Sequence, residues 1–256
     1  MPAFRRTLPI ALLGAILPLH AQALDDALLL GEVKLPTVLS ATRLKQSAAE
    51  VPGSMTVIDQ QLIRASGARD VPELMRLVPG MMVGYNSGNV VNVNYHGTNI
   101  TEARRMQVLV DGRSVYRSGL ATVDWTDIPL AIEDIERIEV FRGPNTAAYG
   151  ANALMGVINI VSSRPEFGQG SRIKVTRGNR GVSDVYASQG FSFAGSHARL
   201  SLFGKQDDGF DFDEDGADYR DGRRLDALNL LGTTNLNATQ TLTWQLGAKE
   251  GTKQRA

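Results

Sequence analysis

The chain has 256 residues, 27 Lys+Arg against 27 Asp+Glu, 26 glycines and no cysteine. The lack of cysteine excludes a disulfide scaffold, a thiolate metal centre and a cysteine nucleophile, and a charge balance without basic excess argues against a nucleic-acid partner. After the leader described next, no stretch approaches the roughly 18 apolar residues that cross a bilayer as a helix, so any membrane passage falls to strands.

Residues 1–23 read as a secretory signal peptide. Arg5 and Arg6 form its basic start, and Leu8 to Leu19 an apolar run of roughly 12 residues, too short to span a bilayer. Ala21-Gln22-Ala23 supplies the small residues of a cleavage site. Cleavage there removes two arginines and no acids, turning 27 against 27 into 25 against 27, a net charge near −2. Residues 24–43 form an N-terminal leader. Within it, Leu35–Arg43 is a short β-prone run with two readings: an extended segment able to join the sheet edge of a partner, or the first strand of the domain that follows.

Val51–Ile58 carries alternating apolar residues into Asp59, a helix cap. Asp70-Val71-Pro72-Glu73 has the spacing of a capping box with proline in the first turn. Leu74, Leu77 and Val78 give that helix an apolar face, and Pro79-Gly80 stops it. Val90–Tyr95 alternates as a strand. Met106–Val110 and Ser114–Tyr116 read as a hairpin about Asp111-Gly112, a pair suited to a type I′ turn. Arg137–Arg142 alternates charge with apolar side chains, the period-two mark of a strand with one buried face. Gly143-Pro144-Asn145 ends it, since proline has no amide hydrogen for a ladder. Gly156–Val161 is mostly β-branched and reads as a central strand buried on both faces.

From Ser171 the pattern changes to alternating strands: Arg172–Thr176, Val182–Phe193, His197–Gly204, Arg224–Leu231 and Thr241–Ala248, with a polar tail from Lys249. Their connections are unequal. Ala194–Ser196 and Asn235–Gln240 are short, whereas Lys205–Arg223 is long, charged and glycine-rich. Tight turns at one end and longer loops at the other are the pattern of a transmembrane β-barrel.

The ordered string Asp134–Ser162, together with Val51–Ile58 and Leu77–Gly80, resembles the plug domain of TonB-dependent outer-membrane receptors. That resemblance implies an α+β plug domain (44–165) followed by an incomplete antiparallel transmembrane β-barrel (166–256), about five of about 22 strands. The chain is then expected to be the N-terminal fragment of a receptor, or a truncated product, because open edges would leave backbone groups unpaired in lipid. The implied activity is TonB-dependent uptake of a metal chelate such as an iron-siderophore across a Gram-negative outer membrane. Its implied partners are TonB with its proton-driven inner-membrane motor, outer-membrane lipid and the chelate, with no required cofactor.

Site residues follow from the same resemblance. Thr37, Val38, Leu39, Ser40 and Ala41 stand where a TonB box is expected. Tyr85, Asn86, Tyr116, Arg117 and Trp125 fall in two loops of the outward plug apex, Gly84–Asn89 and Tyr116–Trp125, where they either contact the chelate or pack the plug. Arg137, Glu139 and Arg142 are expected to latch the plug, the arginines by pairing with barrel carboxylates. Where the family has Arg-Gly after the Val90–Tyr95 strand, this chain has His96-Gly97, which puts that plug contact in doubt. Asp211, Asp213 and Asp215, followed by Gly216, match the first half of a calcium loop, but Gly222 stands where a bidentate glutamate belongs; a solvated acidic loop is the other reading. The chain is not expected to be an enzyme: beyond the leader it holds only His96 and His197, and no Gly-x-Ser-x-Gly elbow. A soluble periplasmic plug-like binding module without transport is the alternative.

Overall fold

The computed structural model describes residues 37–38, 46–47, 51, 53–97, 105–117, 119, 122–210, 216 and 220–254, all within the compact unit Pro36–Ala256. The plug comes first. Two-residue strands β1 (Thr37–Val38) and β2 (Gln46–Ser47) pair with each other. Strand β3 (Ser54–Asp59) runs into helix α1 (Gln60–Ser66), whose first turn Asp59 caps by accepting from Leu62 N at 2.8 Å. Helix α2 (Val71–Met75) is a single turn. It buries Leu74 and Met75, but it ends before Leu77, which is 42% exposed. The apolar face expected to include Leu77 is therefore shorter than the spacing suggested, because the chain has already begun its turn toward Pro79-Gly80.

Strands β4 (Met81–Ser87) and β5 (Val90–Tyr95) form a separate hairpin. Strands β6 (Met106–Val110) and β7 (Arg113–Ser114) flank Asp111 (φ 49°) and Gly112 (φ 76°), two consecutive left-handed residues, as a type I′ turn requires. After β8 (Ile135–Arg142) and the short helix α3 (Thr146–Tyr149) comes β9 (Gly156–Ser162). The main plug sheet has the order β3-β8-β9-β6-β7, with β6 and β9 parallel and the other pairs antiparallel. Central strand β9 is buried from Gly156 to Ile160 on both faces, as a β-branched run predicts. Ile58, Leu74, Met75, Ile135, Ile138, Ile158 and Ile160 form the centre of the core.

Beside the plug stands a wall of five strands in simple antiparallel order: β10 (Gly170–Arg177), β11 (Ser183–Phe193), β12 (Ser196–Asp207), β13 (Arg223–Asn235) and β14 (Thr241–Lys253). The tight turn Ala194-Gly195 and the turn 236–240 lie at one end; 178–182 and the long connection 208–222 lie at the other. The strands extend past the expected ends, taking in Lys205–Asp207, Arg223 and residues 249–253. The reason lies in the wall's two faces. Facing the plug are Ser188, Arg199, Ser201, Asp207, Arg223 and Asn229, all buried. The opposite face carries Ile173, Val175, Phe191, Leu202, Leu228 and Leu246, all exposed. Polar residues at the strand ends point at the plug, so polarity there marks inward-facing strand rather than loop.

Candidate functional site

The functional surface has three parts: the N-terminal segment, the end of the plug near the 208–222 connection, and the seam between plug and wall. In the first, Val38 is paired opposite Gln46 and fully buried, packed in a satellite core with Val51, Leu109, Phe141 and Val157. This is the geometry of a first plug strand. Thr37 lies on the same short strand, while Leu39, Ser40 and Ala41 fall outside the described residues.

The residues expected at the plug apex separate. The segment Gly84–Asn89 is not all loop: β4 continues to Ser87, and the turn is Gly88-Asn89. Tyr85 is 37% exposed on this hairpin, edge-on to Phe210 with ring centroids 6.1 Å apart and Arg76 5.8 Å from its ring. Asn86 accepts from Asn92 Nδ2 at 2.9 Å within the hairpin. Tyr116 turns inward: its hydroxyl donates to the Met106 carbonyl at 2.6 Å, and burial pushes its pKa up to about 12. Arg117 pairs with Asp124 at 3.1 Å and with Asp127. Trp125 is 4% exposed and belongs to the main core. A ring so placed packs the plug and offers no face to a cargo. Tyr85 thus remains the exposed ring of the set, and it borders a cavity of about 270 Å³ shared with Arg69, Asp70, Glu73, Arg180 and Phe210.

Among the described residues, the charges expected to latch the plug meet groups of the plug itself. Arg137 pairs with Glu136 and Glu139, both on its own strand, and Arg142 Nη1 donates to the Pro79 carbonyl at 3.2 Å. A residue and its second neighbour share one face of a strand, so Arg137 reaches Glu139 without crossing to the wall. His96 occupies a left-handed turn position (φ 54°) with its ring 4.0 Å from that of Tyr95.

Plug and wall are tied instead by Arg69 and Asp70, the two residues before α2. Arg69 grips Asp184 with two nitrogens, at 2.6 and 2.8 Å, and reaches Asp207 at 3.1 Å. Asp70 accepts from Lys205 at 2.8 Å and from Arg223, which also donates to Asp207 at 2.8 Å. Three cations and three carboxylates neutralise one another in a largely buried cluster, the arrangement that offsets the cost of removing charge from water. Burial alone would raise the Asp70 carboxyl; the Lys205 and Arg223 charges overcome it and hold it well below the usual carboxylate range. Burial likewise works against the Arg69 charge, but Asp184, Asp70 and Asp207 raise its affinity for the proton further still. Because Asp70 is occupied in this way, it makes no capping bond to α2; Glu73 instead accepts from Arg69 N at 2.8 Å. The capping-box expectation is corrected accordingly.

Further ion pairs lie along the seam. Arg199 and Asp134, 2% and 1% exposed, pair at 3.2 Å, with the Ser163 carbonyl accepting from Arg199 and the Tyr186 hydroxyl donating to Asp134. Lys253 meets Asp124 at 2.5 Å, and Lys249 meets Asp127 at 2.8 Å. The Lys253 contact holds the Asp124 carboxyl below its usual range despite burial. Sequence reasoning missed these residues. A signal was present: Asp184, Tyr186 and Ser188 on β11, then Arg199, Ser201, Phe203, Lys205 and Asp207 on β12, are polar or aromatic at every second position, which places them on one face. Asp211, Asp213 and Asp215 lie outside the described residues.

Comparison with known proteins agrees with this architecture. Residues 47–157 match the family described as TonB-dependent Receptor Plug Domain. The chain is 31% identical over 220 residues to the vitamin B12 transporter BtuB of Vibrio vulnificus, covering 83% of this chain and 34% of that protein. It is 33% identical over 162 residues to BtuB of Photobacterium profundum, covering 62% and 25%. Among solved structures, the ferripyoverdine receptor of the outer membrane of Pseudomonas aeruginosa superposes with a TM-score of 0.65 at 18% identity, covering 84% of this chain and 27% of that one. The ferric-catecholate import receptor Fiu of E. coli K12 gives 0.63 at 18%, covering 85% and 31%. The chain spans about a third of the length of the first of these curated relatives and a quarter of the other.

Proposed function

We propose, from the premise that residues 47–157 are a TonB-dependent receptor plug domain, that the protein takes up a metal chelate across a Gram-negative outer membrane. The observation that carries the reading is the wall's inverted pattern: charged and polar side chains face a packed plug, and Ile173, Val175, Leu202, Leu228 and Leu246 face away from it. In water that arrangement would expose a contiguous apolar sheet; in a bilayer it is the stable one. The named cargoes of the relatives support a metal chelate as the cargo class. Vitamin B12 and ferric siderophores are both metal chelates, and the sequence relatives direct attention to the corrinoid.

In this reading residues 1–23 are removed on export, 24–43 form the leader, 44–165 the plug, and 166–256 the first part of the barrel wall. TonB, driven by the inner-membrane proton gradient, pulls on the N-terminal segment. Pairing with residues 37–41 requires Val38 to leave the satellite core in which it is buried, so access to this segment is coupled to loosening of the plug. Calcium in the acidic stretch Asp211–Asp215 is a separate proposal, tested by whether a chelator weakens cargo binding.

The direct test is nutritional. A host lacking the gene is grown with cyanocobalamin as the limiting nutrient, then with single ferric siderophores as the iron source. Loss of growth on one of them, restored by the gene, supports uptake and names the cargo. Undiminished uptake of every chelate would overturn it.

A further inference from the structure

We infer that Asp221 is a positioning residue that clamps the plug's Gly88-Asn89 turn to both ends of the 208–222 connection, and so fixes the edge-to-face contact of Tyr85 and Phe210 at the border of the cavity that both line. Asp221 is 1% exposed, although it sits at the end of a long acidic connection where carboxylates normally remain solvated. Its two oxygens are divided between the two sides: Oδ2 accepts from the amide of Gly88 on the plug, and Oδ1 accepts from the amide of Phe210 on the wall side at 2.9 Å. A buried carboxylate bonded to two backbone amides is held by charge-assisted bonds, stronger than those a neutral side chain makes.

The surrounding backbone leaves no slack. A Cβ on Gly88 would stand 2.6 Å from the Gly209 Cα, and one on Gly209 would stand 1.8 Å from Asp221 Oδ1. The two chains thus approach backbone to backbone, which side chains at either position would prevent. The next plug residue extends the clamp: Asn89 Nδ2 donates to the Gln254 carbonyl at 2.8 Å and to the Gly222 carbonyl at 3.4 Å, while its own carbonyl accepts from Thr126 Oγ1 at 3.2 Å. Both bases of the connection, 209–210 and 221–222, are therefore fixed to the same turn.

The consequence concerns the rings. Tyr85 lies three residues before Gly88, and Phe210 is the residue whose amide Asp221 holds, so one carboxylate fixes both sides of the 6.1 Å ring pair. Arg180 stands 5.2 Å from the Phe210 ring centroid and Arg76 5.8 Å from that of Tyr85. Two rings flanked by two guanidiniums suit an anionic or ring-bearing portion of a chelate. This last step rests on the uptake reading; the clamp itself does not.

The test uses the native outer-membrane protein and the variants Asp221→Ala, Asp221→Asn and Phe210→Ala. Two quantities are measured: hydrogen exchange at the Gly88 and Phe210 amides, and affinity for two probes, cyanocobalamin and a ferric tris-catecholate. Asp221→Ala is expected to raise exchange at both amides together by about tenfold or more, and to weaken the probe that binds by about tenfold. Asp221→Asn, which keeps one carbonyl acceptor, is expected to restore protection at one amide and recover part of the affinity. Phe210→Ala is expected to lower affinity with Gly88 exchange unchanged. Unchanged protection of either amide in Asp221→Ala would overturn the clamp, and a released clamp with full probe affinity would overturn its positioning role. If the wild type binds neither probe, the assigned cargo class fails, while the exchange result still decides the clamp.

Discussion

Replacing Asp70 with asparagine separates two roles that the sequence merges. Asparagine caps a helix as well as aspartate, so a side chain that only started α2 would tolerate the change to within about 0.5 kcal/mol. In the structure Asp70 makes no cap bond and receives Lys205 and Arg223, whose side chains are 13% and 8% exposed. Asp70→Asn leaves the cluster's three cations with two carboxylates, Asp184 and Asp207. Breaking a buried pair from one side costs about 3–5 kcal/mol. Because Asp207 still serves Arg223, the lower end applies: about 3 kcal/mol, or roughly a 150-fold rise in the opening constant of α2. Hydrogen exchange across Val71–Met75 in the native protein reads that constant directly. A cycle with Lys205→Met should return a coupling of at least about 1 kcal/mol. An Asp70→Asn protein whose exchange stays within about twofold of the wild type would refute the reasoning, since 0.5 kcal/mol is the bound for a cap alone.

Other outcomes follow from the same geometry. The Asp70 carboxyl is held below its usual range, so its contribution is fully present above the unfolded value of about 3.9 and is lost only as pH falls through the lower folded value. Opening of α2, corrected for intrinsic exchange, should therefore be flat from about pH 7 to about pH 4 and rise below that; a rise between pH 7 and 5 would contradict the assignment. Trp125→Ala should destabilise the plug by about 3–5 kcal/mol in denaturant melts, and loss of cargo affinity at unchanged stability would show that the ring faces cargo after all. Tyr116→Phe should cost about 1–2 kcal/mol by leaving the Met106 carbonyl without its donor, with chelate affinity unchanged in a binding titration.

Much of the plug was legible because its signals are local. Gly156–Val161 is β-branched whichever fold it serves, Asp111-Gly112 needs only its own two dihedrals, and Asp59 caps the helix that begins at the next residue. The seam was not legible for the opposite reason. Asp70 reads as a capping box because Glu73 lies three residues on, while the residues that claim its carboxylate, Lys205 and Arg223, lie far along the chain. Arg137 and Glu139 share a strand face, so among the described residues the arginine meets carboxylates of its own strand. The wall strands run longer than their sequence suggests because the wall is an inverted object: Lys205, Asp207, Lys249 and Lys253 look like loop residues until the plug is there to receive them. Of the two readings open for Trp125, the structure shows the packing one: it stands in an irregular segment, a 3₁₀ turn from Trp125 to Asp127, that packs into the core.

The most direct test is to fractionate the native host and blot for the plug, comparing heated and unheated samples. The proposed uptake role predicts an outer-membrane band whose mobility changes on heating, as a closed barrel with the apolar face of β10–β14 against lipid would give. A soluble periplasmic band with the same mobility in both samples would contradict it.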